Sequence, residues 1–254
     1  MSGHSHWATI RRKKGANDAK RGKIFSKLGR ELAVTAREGG ADPENNVRLR
    51  LVISKAKSAG VPKEIIERAI RRGAGLDKDA ASFEEMMYEG YAPHGVAIMI
   101  KVMTDNRNRA VADVRSALTR AGGNLAESGA VAWNFEQKGY ISIPLVNNLD
   151  HDTIFNLAVD AGADDIEISD ETAVVYTIPS ELHTVSAALE KSGLKPESVE
   201  LTMKPKQLTV LGPKETLSVM NLVDQLEDLD DVQQIYANLD ISDDVVSEYQ
   251  AQAA

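Results

Sequence analysis

Residues 138–204 read KGYISIPLVNNLDHDTIFNLAVDAGADDIEISDETAVVYTIPSELHTVSAALEKSGLKPESVELTMK. Short runs rich in β-branched and aromatic residues are interspersed here with two longer segments whose apolar residues recur at helical spacing. The pattern predicts, in chain order, a strand at 140–143, a helix at 152–161, strands at 166–168 and 173–178, a helix at 181–191 and a strand at 199–203. This βαββαβ order is typical of a ferredoxin-like domain.

Further strand and helix patterns flank this unit on both sides. They predict strands at 86–91, 96–104, 131–135 and 232–237, and helices at 106–121 and 213–226. Residues 205–240 contain only one helix and one strand, which is too little for a separate domain. We therefore expect them to complete the sheet that the upstream strands begin.

The N-terminal third shows helical periodicity and no strand pattern. Its first helix runs from about 17 to 38 and has an apolar stripe formed by Phe25, Leu28, Leu32 and Ala36. A second helix is predicted to begin at Asp42-Pro43-Glu44, because Asp42 can cap it and proline fits the first turn. A third helix is predicted over 62–72.

Together these patterns predict an α+β fold. An N-terminal three-helix domain is followed by two α/β sandwich domains, one ferredoxin-like and inserted in the other. The predicted boundaries are 1–78 for the helical domain, 79–137 plus 205–240 for the discontinuous α/β domain, 138–204 for the inserted domain, and 241–254 for a polar, frayed tail.

The composition excludes several classes of chemistry. The 254 residues include no cysteine, which rules out disulfides, thiolate zinc sites, iron–sulfur clusters and a cysteine nucleophile. No HExxH, GxSxG or P-loop pattern occurs, so we expect neither an enzyme nor a bound cofactor. The chain has no apolar leader and no run of about 18 apolar residues, which predicts a cytoplasmic protein without a membrane partner.

Charge is distributed very unevenly along the chain. Residues 1–78 carry 19 lysines and arginines against 8 acids, a balance of +11. Residues 79–254 carry 11 against 30, a balance of −19. This asymmetry indicates a basic module that meets a polyanion, joined to an acidic body. The acidic cluster near residue 228 lacks the spacing of a calcium loop, so we interpret it as a solvated helix end and predict no metal site; its members are Asp224, Glu227, Asp228, Asp230 and Asp231.

The basic module contains two groups of cations that are predicted to bind nucleic acid. The first lies in the arm of residues 1–15, which is read as extended, and comprises Arg11, Arg12, Lys13 and Lys14. The second lies on the first helix at spacings of three, four and three, and comprises Lys20, Lys23, Lys27 and Arg30, which we call the basic stripe. At a rise of about 1.5 Å per residue the basic stripe is about 15 Å long. Arg21 adds a cation beside it.

Two polar stretches stand out in the acidic body. In residues 104–109, Asp105 or Asn106 can cap the following helix, whereas Arg107 and Arg109 are not needed for capping. These two arginines either reach a phosphate or pair with nearby acids, and the sequence leaves both alternatives open. In residues 122–129 the glycines permit a tight loop, for which a turn without further function is favoured.

Six segments in order along the chain carry a family resemblance: MSGHSHWATIRRKK, DAKRGKIFSKLGREL, IERAIRRGAG, YEGYAPHGVAI, TDNRNRAVADVRSAL and GGNLAESGAVAWNFE. They resemble the YebC/PmpR family of probable transcriptional regulatory proteins, whose relatives include a mitochondrial translational activator of cytochrome c oxidase. The resemblance implies a three-domain cytoplasmic protein that acts either by DNA binding and transcriptional control or on the ribosome. Two positions depart from it: His6 stands where the family often has lysine, and Ala92-Pro93-His94-Gly95 replaces a more glycine-rich turn.

Two functions therefore remain. The first, which we adopt, is a DNA-binding transcriptional regulator; the alternative is a ribosome-associated translation factor that binds rRNA or tRNA. Phosphate contacts do not distinguish them, because such contacts carry little sequence information. The third helix offers Arg68, Arg71 and Arg72, but Arg68 and Arg71 are spaced to pair with acids four residues earlier. We expect the acidic body to face away from nucleic acid or to contact proteins.

Overall fold

The structure is a computed structural model, and it describes residues 18–76, 82–145, 150–169, 171–242, 244–246 and 249, with side chains from residue 21 onward. It is a mixed helix and sheet protein in which a helical region precedes two antiparallel sheets. The predicted fold class is confirmed. The predicted basic arm lies outside the described residues.

The helical region consists of α1 (Asp18–Gly39), α2 (Val47–Ser58) and α3 (Lys63–Gly73). Its core contains the predicted apolar stripe of α1, packed against one face each of α2 and α3; the fully buried members are Leu28, Leu32, Ala36, Leu49, Val52, Ala56, Val61 and Ile66. Phe25 packs against this core but is only partly buried.

The start of α2 differs from the prediction. Asn46, not Asp42, caps the helix, because its side chain accepts a hydrogen bond from the amide of Leu49. The Asn46 amide also donates to the carbonyls of Thr35 and Gly40. Asp42 instead accepts from the amide of Glu44 and so closes the turn before the helix. A buried asparagine that satisfies three backbone groups outcompetes an exposed aspartate as the cap.

The first sheet has the strand order β3-β1-β2-β9, with every neighbouring pair antiparallel. Its strands are β1 (Glu84–Tyr91), β2 (Ala97–Thr104), β3 (Asn124–Ala126) and β9 (Val232–Ala237). Helices α4 (Arg107–Arg120) and α7 (Pro213–Glu227) accompany it. Residues 122–129 are not a turn throughout, because Asn124–Ala126 pairs with β1. Gly90 permits this pairing, since a Cβ there would lie 2.7 Å from the Asn124 carbonyl oxygen. The expectation that residues 122–129 have no further function stays a prediction.

The second sheet has the order β5-β6-β4-β7, which is the antiparallel arrangement of a ferredoxin-like βαββαβ unit. Its elements in chain order are β4 (Phe135–Pro144), α5 (His151–Ala161), β5 (Asp165–Ile168), β6 (Thr172–Thr177), α6 (Leu182–Lys191) and β7 (Ser198–Pro205). The predicted strand at 131–135 is wrong: Ala132–Asn134 forms a 3-10 turn, and the strand begins at Phe135.

The chain divides into two compact units. One contains the helical region and the first sheet, within residues 18–132 and 211–237; the other contains residues 133–210 and the described residues from 238 onward. In the second unit β8 (Thr209–Val210) and β10 (Leu239–Asp240) form a short parallel pair. The predicted frayed tail is wrong where the structure describes it, because apolar side chains there are buried, namely Ile241, Val245, Val246 and Tyr249. The boundaries of the three predicted domains stay a prediction.

Two glycines in the helical region test how closely its helices pack. A Cβ on Gly73 would lie 2.0 Å from the Ala33 carbonyl oxygen, whereas a Cβ on Gly22 would have no neighbour within 4 Å. We expect Gly73→Ala to lower the free energy of unfolding by about 1–3 kcal/mol because α1 and α3 must separate. Gly22→Ala should raise it by about 0.5–1 kcal/mol, since alanine is the better helix former. Urea unfolding of the full chain measures both, and equal stability of the two variants would contradict close α1–α3 packing.

Candidate nucleic-acid interface

Lys23, Lys27 and Arg30 of the basic stripe face the end of α7 and the turn that follows it. Lys23 Nζ lies 2.8 Å from Asp228 Oδ1, and Lys27 Nζ lies 2.8 Å from the carbonyl oxygen of Glu227. Arg30 donates to the carbonyl of Asp230. We call Glu227–Asp231 the acidic turn. The expectation that this acidic cluster is only a solvated helix end is therefore wrong.

Asp231 anchors the inner end of this contact. Its carboxylate is buried and accepts hydrogen bonds from Thr104 Oγ1 at 2.9 Å and from Arg109 Nη2 at 2.9 Å. The Arg30 guanidinium approaches the same carboxylate at 3.9 Å. A buried carboxylate is tolerated only when cations and donors surround it. Asp231 therefore joins α1, the end of β2 and the first turn of α4.

Arg107 and Arg109 both pair with acids of the same chain. Arg107 Nε lies 2.7 Å from Glu84 Oε2, so this arginine pairs with the start of β1. Arg109 hydrogen bonds to Asp231 and to Asp105, and these bonds raise the pKa of its guanidinium above the ordinary value. Both arginines thus contact local acids, and a role for them in binding nucleic acid stays a prediction.

The remaining predicted cations are only partly within the described chain. The side chain of Lys20 lies outside the described residues, as do Arg11, Arg12, Lys13 and Lys14. Arg21 is exposed, and its guanidinium lies 3.8 Å from where a Cβ on Gly60 would stand. This position puts Arg21 beside the connection between α2 and α3.

Helix α3 presents arginine to solvent. On its surface Lys63 Nζ lies 3.6 Å from Glu67 Oε1, whereas the sequence spacing suggested a Glu64–Arg68 pair. Arg68 is exposed and forms no ion pair with any residue in the described ranges. Arg72 instead lies over the ring of Phe83, 4.3 Å from its centroid. Arg68 is therefore available to a partner, which the sequence spacing did not indicate.

A buried glutamate that the sequence analysis missed organises the glycine-rich loop. The Glu89 carboxylate accepts from the amides of Gly129, Val131 and Ala132 at 2.7–2.9 Å. Burial alone raises the pKa of Glu89, but the three amide donors outweigh it and hold the pKa below the ordinary value. No local motif in the sequence marks this residue, because its amide donors lie 40 to 43 residues further along the chain.

The family of the chain follows from comparison with known proteins. Residues 5–76 match the TACO1/YebC protein N-terminal domain, and residues 83–239 match the TACO1/YebC second and third domain. The chain belongs to the TACO1/YebC family. The resemblance drawn from the sequence segments is thereby confirmed. These two matches include α1, α3, the acidic turn and Glu89.

Individual members of the TACO1/YebC family align over nearly the whole chain. The protein named probable transcriptional regulatory protein from Geobacter sp. (strain M21) is 49% identical over 244 residues, 96% of this chain and 98% of its own. A protein of the same name from Bifidobacterium animalis subsp. lactis (strain AD011) is 50% identical over 248 residues, 98% of each chain. The crystal structure of a conserved hypothetical protein from Aquifex aeolicus superposes with a TM-score of 0.82 at 45% identity, covering 89% of this chain and 93% of that one.

The described residues contain neither a membrane-spanning helix nor a cluster of metal ligands. No helix there is long and apolar enough to cross a membrane. No group of three histidine or acidic side chains in those ranges converges as metal ligands.

The three amide hydrogen bonds to the Glu89 carboxylate predict how the stability of the protein depends on pH. Glu89→Gln should lower the free energy of unfolding at pH 7 by about 2 kcal/mol, because an amide nitrogen then faces backbone donors. Since the folded pKa lies below the ordinary value of 4.5, the ionised carboxylate stabilises the fold fully above that value, and this contribution is lost as pH falls through the folded pKa. Urea unfolding between neutral and acid pH should therefore show the two proteins converging at low pH.

Glu127→Gln is the matched control. Glu127 is exposed in the same loop, so its replacement should change stability little at any pH. A Glu89→Gln deficit that stays constant as the pH falls would contradict the role of the charged carboxylate.

Proposed function

We propose that this protein is a nucleic-acid-binding regulator of gene expression and, more narrowly, a DNA-binding transcriptional regulator. The regulatory role is supported by its relatives in the TACO1/YebC family, which carry the name probable transcriptional regulatory protein. The excess of 11 positive charges in residues 1–78 supports a polyanionic partner.

The observation that favours DNA is the geometry of α2 and α3. Only residues 59–62 connect the two helices, and Gly60 adopts a φ of +75° within that turn. Helix-turn-helix motifs use such a short turn, often with glycine, and place their second helix in the major groove. Arg68 is exposed on the second helix of this pair. An arginine in that position is suited to guanine or to a phosphate.

A second candidate function is action on the ribosome as a translation factor that binds rRNA or tRNA. The charge of the acidic body, −19 over residues 79–254, suits contacts with basic proteins rather than with nucleic acid. Helix α5 adds exposed Phe155 and Val159, which stand beside the exposed acids Asp152 and Asp160. Such a mixed acidic and apolar surface is suited to a basic protein partner.

Arg68 supplies the test. We expect the full chain to bind a DNA duplex with an affinity that falls as salt rises from about 50 to about 200 mM. Arg68→Gln should flatten the slope of log K against log salt by about 0.9 if Arg68 contacts a phosphate. If it reads a guanine, the variant should lose about 1–3 kcal/mol on duplexes that contain the preferred base. Fluorescence anisotropy with several duplexes and one structured RNA measures these quantities.

Arg115→Gln is the matched control, because Arg115 is an exposed arginine on α4 in the acidic body. It removes the same charge and should leave binding unchanged. Discrimination among DNA duplexes would support transcription, and a strong preference for RNA at matched salt would support the ribosomal alternative. Equal effects of the two substitutions would contradict α3 as the binding helix.

A further inference from the structure

The acidic turn offers the basic stripe the same chemistry as a nucleic-acid backbone. Backbone carbonyls of Glu227, Asp228 and Asp230 accept hydrogen bonds from Lys27, Lys23 and Arg30, respectively. Asp228 adds a carboxylate. The carbonyls at the end of α7 also lie at the negative end of its helix dipole. A row of cations on α1 thus already faces a row of anionic and carbonyl oxygens from the same chain.

The contacts between the basic stripe and the acidic turn differ in exposure. We call the buried Arg30–Asp231 contact the inner anchor and the exposed Lys23–Asp228 contact the outer pair. The side chains of Arg30 and Asp231 are 17% and 7% exposed, whereas those of Lys23 and Asp228 are 46% and 75% exposed. Exposed ion pairs contribute little to stability, because water solvates both partners well when they separate. The outer pair can therefore open while the inner anchor stays closed.

A lysine in contact with the turn cannot neutralise a phosphate at the same time. Salt-dependent affinity for nucleic acid arises when cations of the protein replace counterions condensed on the phosphates. Lys23 first has to leave Asp228, so the gain from its phosphate contact is offset by the loss of its ion pair. The presence of Asp228 should therefore hide most of the contribution of Lys23.

We propose that the acidic turn competes with nucleic acid for Lys23, the exposed cation of the basic stripe, and thereby limits the affinity of the protein. This inference rests on the proposed function and concerns the contribution of the basic stripe of α1 to nucleic-acid binding. A long polyanion displaces the turn because it engages the stripe together with other cations of the N-terminal third. An isolated phosphate engages one cation only and leaves the turn in place.

Two substitutions within the turn separate contact from net charge. Asp228→Asn and Asp230→Asn each remove one negative charge from the acidic turn. Only the first removes an ion pair, because Asp230 contacts Arg30 through its backbone carbonyl. With one labelled DNA duplex and one structured RNA at about 50 mM salt, the full-length Asp228→Asn variant should bind about two- to fivefold more tightly than the unmodified chain. Asp230→Asn should give less than half of that gain.

Lys23→Gln, alone and combined with Asp228→Asn, completes a double-mutant cycle. In the unmodified chain it should weaken binding by less than about twofold, and in the Asp228→Asn background by about two- to fivefold. Equal tightening by the two turn variants, or equal loss from Lys23→Gln in both backgrounds, would overturn the competition and leave the proposed function standing. No salt-dependent binding by any variant would overturn the proposed function itself, and the competition with it.

Discussion

The carboxylate of Asp231 is held from three directions, by Thr104 from the end of β2, by Arg109 from the first turn of α4 and by Arg30 from α1. The backbone carbonyl of Asp231 also accepts a hydrogen bond from the amide of Met103, which holds the residue just before β9 against β2. If one of these partners is removed, the buried carboxylate loses part of its compensation, which destabilises the fold. This side chain therefore joins the helical region to the first sheet, and it sets the place where the acidic turn meets the basic stripe.

Because of this anchor, the charges of the chain cannot be assigned to partners segment by segment. The N-terminal third has an excess of cations and the remainder an excess of acids, yet part of each excess is compensated within the same unit. Lys23 and Asp228 are 205 residues apart in sequence and 2.8 Å apart in space. The cations left to an external polyanion are therefore fewer than the count in the sequence indicates, and the exposed arginine of α3 gains importance relative to the stripe of α1.

The sequence predicts well those features that depend on local periodicity. The helices of the N-terminal third, the βαββαβ order and the buried residues Leu28 and Leu32 follow from repeats of apolar residues. Features that depend on distant partners were not predicted. The three residues of β3 become a strand only through pairing with β1, and Asn46 caps α2 because it also reaches Thr35 and Gly40. The basic stripe itself was predicted, whereas its partner was not, because periodicity carries no information about contacts between segments so far apart.

Zero-length carbodiimide crosslinking tests displacement of the acidic turn most directly. In the free protein the Lys23–Asp228 pair, at 2.8 Å, should give an amide crosslink that peptide mass spectrometry detects. The Lys138–Asp164 pair, at 2.6 Å in the other unit, provides an internal reference in the same sample. As a DNA duplex or structured RNA saturates the protein, the ratio of the first crosslink to the second should fall in step with binding. A ratio that stays constant at saturation would show that nucleic acid binds without displacing the turn, which would contradict the account.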